Sequence, residues 1–169
     1  MADKYIKLDS GRLKQQEAAT TSAGAGDSGK IVALNTSGKL DDTMMPAGVG
    51  DEVKSLTASE DLSAGNFVNI YDDGGTTKVR KADATTEGKE AYGFVLAGAT
   101  SGSSASVYVT GVNDQLTGLT GGTRYYLDTT AGGITDTPPS GSNNVVQCLG
   151  VAISTTELSF IPTAPVTVA

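Results

Sequence analysis

The sequence predicts a mainly β protein: an extended N-terminal arm followed by a small antiparallel β-barrel or sandwich. Three observations carry this. Short runs rich in Val, Ile, Thr, Tyr and Phe recur after residue 50, separated by Gly, Asp, Asn and Pro. Apolar patterning with a helical period is scarce. The charge is also divided. Residues 1–50 hold six bases and six acids, whereas residues 51–169 hold six bases and thirteen acids, so the second part carries the whole net charge of −7 (6 − 13). At 169 residues, the chain amounts to one domain, or one domain with an appendage.

The arm, residues 1–50, contains no Phe and a single Tyr. Its apolar residues are thinly spread: Ile6, Leu8 and Leu13, then Ile31, Val32, Leu34, Leu40, Met44 and Met45. Between the two groups lies the small-residue stretch Ala18–Gly26. This composition buries too little surface to offset its own ordering entropy, so little regular structure is expected unless the arm lies on something else. Fully extended, about fifty residues reach roughly 165 Å, enough to contact several neighbouring subunits. The scattered apolar residues, with Pro46 after them, are therefore the candidate docking anchors. Packing of the arm on its own domain is the plainer alternative. Two short helical pieces are expected here: two turns over Leu13–Ala19, and one turn over Asp41–Met45 ended by Pro46. Lys4, Lys7, Arg12 and Lys14 outnumber Asp3 and Asp9, which makes the tip mildly positive.

Residues 51–169 form the compact β domain. Expected strands are Val53–Thr57, Asn66–Tyr71, Lys78–Ala82, Tyr92–Ala97, Ser106–Gly111, Arg124–Asp128, Val145–Ser154 and Glu157–Ile161. Asp72-Asp73-Gly74-Gly75 and Thr130-Ala131-Gly132-Gly133 read as tight turns, because Asp and Gly tolerate positive φ. Pro138-Pro139 and Asn143-Asn144 mark a longer loop. Eight short strands with frequent turns suit a small barrel or sandwich. The expected core comprises Val68, Ile70, Val79, Phe94, Val95, Val107, Val109, Tyr126, Leu127, Val146, Cys148, Val151, Ile153, Leu158 and Phe160. Cys148 is read as a small buried hydrophobe. In the pair Tyr125-Tyr126, successive side chains fall on opposite faces of a strand. One ring should enter the core and the other should cap an edge or contact a subunit, so both are candidates for that contact.

Composition argues against most chemistry. The chain has no His, which removes the commonest general base and metal ligand. One Cys excludes an internal disulfide and a multi-thiolate zinc site. The paired acids Asp41-Asp42, Asp51-Glu52, Glu60-Asp61 and Asp72-Asp73 fall in loops or caps, where Asp serves local backbone bonding. Gly24–Lys30 has the spacing of a phosphate loop, but Ile31 stands where Ser or Thr is required and no strand precedes it. An acidic chain is a poor ligand for nucleic acid or anionic lipid. No apolar run approaches a membrane span, and the start does not have the form of a signal peptide. The expectation is a non-enzymatic protein with no cofactor and no metal, made in a reducing compartment.

Two stretches carry a family resemblance. Gly29-Lys30-Ile31-Val32-Ala33-Leu34-Asn35-Thr36-Ser37-Gly38-Lys39-Leu40-Asp41, with Pro46 after it, is similar to a linker found near the start of phage fibre and head-appendage proteins. Gly118-Leu119-Thr120, Tyr125-Tyr126-Leu127, Gly132-Gly133-Ile134-Thr135 and Leu149-Gly150-Val151-Ala152 resemble a β-module of phage structural proteins. The chain thus resembles tailed-bacteriophage virion proteins, over about a third of its length. The resemblance implies a class, with no catalytic residues attached. The short chain and the compact body after the arm favour a capsid decoration, or cement, protein. As such it would sit on the outer capsid surface as a homotrimer, be made in the host cytoplasm, and strap neighbouring major capsid subunits with its arm. A tail-fibre or baseplate component is the alternative.

Overall fold

The computed structural model describes residues 3–45 and 52–169. The chain divides into two compact units, Met1–Gly50 and Asp51–Ala169.

The first unit opens with a hairpin of β1 (Lys4–Asp9) and β2 (Arg12–Glu17), paired antiparallel so that Leu8 faces Leu13 and Ile6 faces Gln15. Ser10 (φ 51°) and Gly11 (φ 77°) make the turn. Positive φ at both central residues gives a two-residue turn whose twist matches that of the strands. The helix expected over Leu13–Ala19 is therefore not formed. Leu13–Glu17 is strand, because β1 supplies partners for its backbone. Beyond the hairpin, the Ala19 amide donates to the Ile31 carbonyl at 2.9 Å and the Ala33 amide to the Ala19 carbonyl at 2.8 Å, in a parallel bridge of Ala19 with Val32. Short 3-10 turns occupy Gly24–Asp27 and Asp42–Met44.

In the second unit, β3 (Val53–Ala58), β4 (Phe67–Asp72), β5 (Thr77–Lys81), β6 (Gly93–Val95) and β7 (Ser104–Tyr108) close into a barrel in the order β3-β5-β4-β6-β7. Four of its pairings are antiparallel. The fifth, β3 with β5, is parallel at Thr57–Lys78 and Ala58–Val79. Asp72–Gly75 makes the β4–β5 turn, where the Asp73 amide donates to the Thr76 carbonyl at 2.8 Å and the Gly75 amide to Asp72 Oδ2 at 3.1 Å. Val68, Val79, Val95 and Val107 fill the barrel with Ala58, Ala105 and Leu62.

A second sheet combines β8 (Gly111–Asn113), β9 (Arg124–Leu127), β10 (Ile134–Thr135), β12 (Cys148–Ala152) and β13 (Leu158–Phe160) in the order β10-β9-β12-β13-β8, all antiparallel. A short pair, β11 (Val145–Val146) with β14 (Val166–Thr167), completes the unit. All three phenylalanines of the chain meet in one cluster. Phe67 and Phe94 come from the barrel and Phe160 from the second sheet, with ring centroids 5.6–6.2 Å apart. Such aromatic pairs contribute beyond the area they bury. Tyr125, Leu127, Leu149 and Leu158 pack around them. Strand β4 is thus buried on both faces, with Phe67 in this cluster and Val68 in the barrel.

The sequence-based core is right for the barrel and displaced in the second sheet. Val68, Val79, Phe94, Val95, Val107, Leu127, Leu158 and Phe160 are buried. Ile70, Val109, Tyr126, Val146 and Cys148 are half-buried, and Val151 and Ile153 are exposed. Phe67, Tyr125, Val145 and Leu149 take interior places instead. The run is displaced by one position on both sides of a bulge. Cys148 pairs with Tyr126 but Gly150 with Tyr125, so one residue of β12 is extra. Inward positions are odd-numbered through Leu149 and even-numbered after it. Gly150 (φ 150°) is required there, since a Cβ would overlap the Ser159 carbonyl oxygen. The one polar inward residue of this run, Gln147, pairs its side-chain amide with the Ala91 backbone in both directions, at 2.8 and 3.0 Å. It acts as a substitute strand partner, which keeps a buried peptide group bonded.

Candidate functional site

The feature of the first unit that asks for a partner is the orientation of its hairpin. Residues facing one another across an antiparallel pair share a face. One face therefore carries Lys4, Ile6, Leu8, Leu13, Gln15 and Glu17. The other carries Tyr5, Lys7, Asp9, Arg12, Lys14 and Gln16. In an ordinary amphipathic strand the apolar residues turn inward. Here the order is inverted. Ile6, Leu8 and Leu13 are 69%, 70% and 75% exposed, while Tyr5 and Gln16 are half-buried. Tyr5 fixes this orientation, because its hydroxyl accepts the Ile31 amide at 3.1 Å and donates to the Gly29 carbonyl at 3.4 Å. Ion pairs Lys14–Asp9 (2.7 Å) and Lys4–Glu17 (3.7 Å) flank the hairpin. Lys7 and Arg12 form no ion pair among the described residues.

The linker-like stretch is held by a second local device. Asn35 Oδ1 accepts the amides of Ser37 (2.9 Å) and Lys39 (3.1 Å), and the Asn35 amide donates to the Lys39 carbonyl at 2.8 Å. Gly38 (φ 71°) takes the left-handed position of this loop. Leu34 and Leu40 flank its base and are both exposed. Asp41 then bonds the Thr43 hydroxyl (2.6 Å) and amide (3.1 Å), which hold its carboxyl below the usual carboxylate range. The Asn, Gly and Asp of this stretch thus have structural tasks, and its leucines are left free for contact.

The anchors divide accordingly. Ile6, Leu8, Leu13, Ile31, Val32, Leu34, Leu40 and Met45 are exposed. Met44 is half-buried and lines a shallow cleft of about 230 Å³ with Ala19, Asp27, Lys30 and Val32. Pro46 lies outside the described residues. The stretch with phosphate-loop spacing is closed on itself. The Ala23 amide donates to Asp27 Oδ2 at 2.6 Å, and Lys30 Nζ donates to Asp27 Oδ1 at 2.6 Å. The Ala23 bond first and the Lys30 bond second lower the Asp27 pKa, and Asp27 raises that of Lys30.

The tyrosine pair separates as alternation requires. Tyr125 is buried, and its hydroxyl accepts the Thr120 amide at 3.0 Å, so this ring is used within its own domain. Tyr126 is half-buried on the opposite face, beside Cys148. Among the described residues, no cluster of three or more His, Cys, Asp or Glu is placed to hold a metal, and no helix is long and apolar enough to cross a membrane. No protein-family model matches the chain, and no curated protein matches it in sequence.

Proposed function

We propose that this chain is a capsid decoration protein of a tailed phage, with a structural rather than enzymatic task. Its first unit docks on major capsid subunits of the outer shell, and its acidic β body faces solvent. The observation that carries this reading is the inverted hairpin, whose Ile6, Leu8 and Leu13 face outward while Tyr5 anchors the polar face. An outward apolar stripe on a short, partly cationic element fits a partner that covers it. Leu34 and Leu40 on the neighbouring loop extend the same offer. The resemblance of Gly29–Asp41 to the phage linker supports the class of partner. A net charge of −7 on residues 51–169 keeps many bodies apart and soluble at the high local concentration of a shell surface.

The test is add-back to shells assembled without this chain. Purified protein should co-sediment with them saturably and raise the temperature at which they rupture. Failure to bind shells overturns the reading. Binding to isolated tails instead would assign the chain to the fibre or baseplate.

A further inference from the structure

Strand β1 has an open edge. The Ala18 amide donates to the Asp3 carbonyl at 2.8 Å, so these two residues form a hydrogen-bonded pair at the base of the hairpin. Bonded and non-bonded pairs alternate along an antiparallel ladder. Tyr5, Lys7 and Asp9 therefore bond across to Gln16, Lys14 and Arg12, and the backbone N–H and C=O groups of Lys4, Ile6 and Leu8 point away from β2. Among the described residues, no strand but β2 pairs with β1. The outer edge of β2 differs, because Ala19, just past its end, is bonded there to Ile31 and Ala33.

Natural sheets shield their edges with Pro, bulges, charges or a covering segment. Strand β1 contains no Pro, and its six-residue register with β2 is unbroken. A two-stranded sheet alone is marginally stable, so a third strand has stability to add. Ile6 and Leu8, whose backbone groups are open, are also 69% and 70% exposed in their side chains. One extended segment laid along β1 would take up the main-chain bonds and cover part of both side chains. The charges on β1 select the segment. Lys4 is paired with Glu17, and Asp9 with Lys14. Lys7 has no ion pair among the described residues. A base on the neighbouring strand opposite Lys7 is repelled there and an acid is attracted.

We propose that an extended segment of the major capsid subunit adds to β1 as a third strand, with apolar side chains beside Ile6 and Leu8 and an acid beside Lys7. This rests on the docking role proposed above and names its mode. Main-chain bonds supply affinity, and the alternating side chains supply specificity.

The test is hydrogen exchange of the full-length protein, free and bound to shells, read residue by residue by fragmentation mass spectrometry. In the free protein the Ile6 and Leu8 amides should exchange quickly and the Lys7 amide slowly. On shells, Ile6 and Leu8 should slow by about tenfold or more. Ile6→Pro and Ile6→Ser both remove the apolar side chain, but only Pro removes the outward amide. I6P should therefore bind shells about tenfold more weakly than I6S, whereas Q15P and Q15S, on the outer edge of β2, should bind alike. K7E should weaken binding by about threefold or more, since it places an acid against an acid. Shell binding without slowed exchange at Ile6 and Leu8 would overturn the added strand and leave the docking role standing. So would equal binding of I6P and I6S, or K7E that binds as wild type. Ile6 and Leu8 amides already protected in the free protein would assign the edge to a second copy and overturn the proposal. Absence of any binding to shells would overturn the docking role and the added strand together.

Discussion

Replacing Leu8 and Leu13 together by Ser tests whether the outward face of the hairpin is a docking face. The two side chains oppose one another across β1 and β2 and are 70% and 75% exposed in the free protein. Full burial of a Leu side chain contributes about 1.5–3 kcal/mol. With most of each chain still open to water, a covering partner gains about 1–2 kcal/mol per residue, or about 2–4 kcal/mol for the pair. L8S/L13S should therefore weaken binding to shells by roughly 30- to 700-fold. The free protein should lose little, since an exposed cross-strand pair contributes only about 0.2–1 kcal/mol. The assay is co-sedimentation of the variant with shells over a titration, alongside thermal unfolding by circular dichroism. Wild-type affinity within about threefold would refute the reasoning. So would a loss of binding that R12S on the opposite face reproduces.

Three further predictions address the body. Gly150→Ala should cost at least about 2 kcal/mol, through overlap with the Ser159 carbonyl and an unfavourable φ, and lower the melting temperature by roughly 8 °C or more; an unchanged melting curve would remove the bulge argument. Phe94→Ala should cost about 3–5 kcal/mol, because Phe94 lies within 6.2 Å of Phe67, 5.6 Å of Phe160 and 5.5 Å of Tyr108, and urea unfolding measures it. Asp83 is buried, which alone would raise its pKa, but bonds from the Thr85 hydroxyl, from Lys89 and from the Thr85 amide outweigh this and lower it. A depressed carboxylate stabilises the fold above its unfolded pKa, and that contribution fades as pH falls through the folded value. Asp83→Asn should therefore be less stable than wild type at neutral pH and converge with it as the pH falls through the lowered folded value, as read by urea midpoints over an acid titration.

What could be read in the sequence was local chemistry. Asp72-Asp73-Gly74-Gly75 announces its turn because Asp side chains bond nearby amides and Gly accepts positive φ, whatever surrounds them. The barrel valines were likewise legible from alternation. The parity of Val145–Ala152 is not, because apolar residues occupy both faces of that run. The parallel β3–β5 closure is also a long-range pairing with no local signal. In the arm, Lys14-Gln15-Gln16-Glu17-Ala18-Ala19 favours helix by propensity, and β1 overrides it. The local signal for the hairpin is Ser10-Gly11, a pair that accepts positive φ at a two-residue turn. Apolar character is all that the sequence shows of the docking anchors. Their division into an outward stripe and a half-buried Met44 follows from the Tyr5 hydroxyl and the Ala19–Val32 bridge, which no residue spacing reveals.

Decoration of the outside of a phage head is tested most directly by gold-labelled antibody against this chain on intact virions viewed by electron microscopy. Label should be distributed over the head and absent from the tail. Label confined to the tail, or none on the virion, would contradict it.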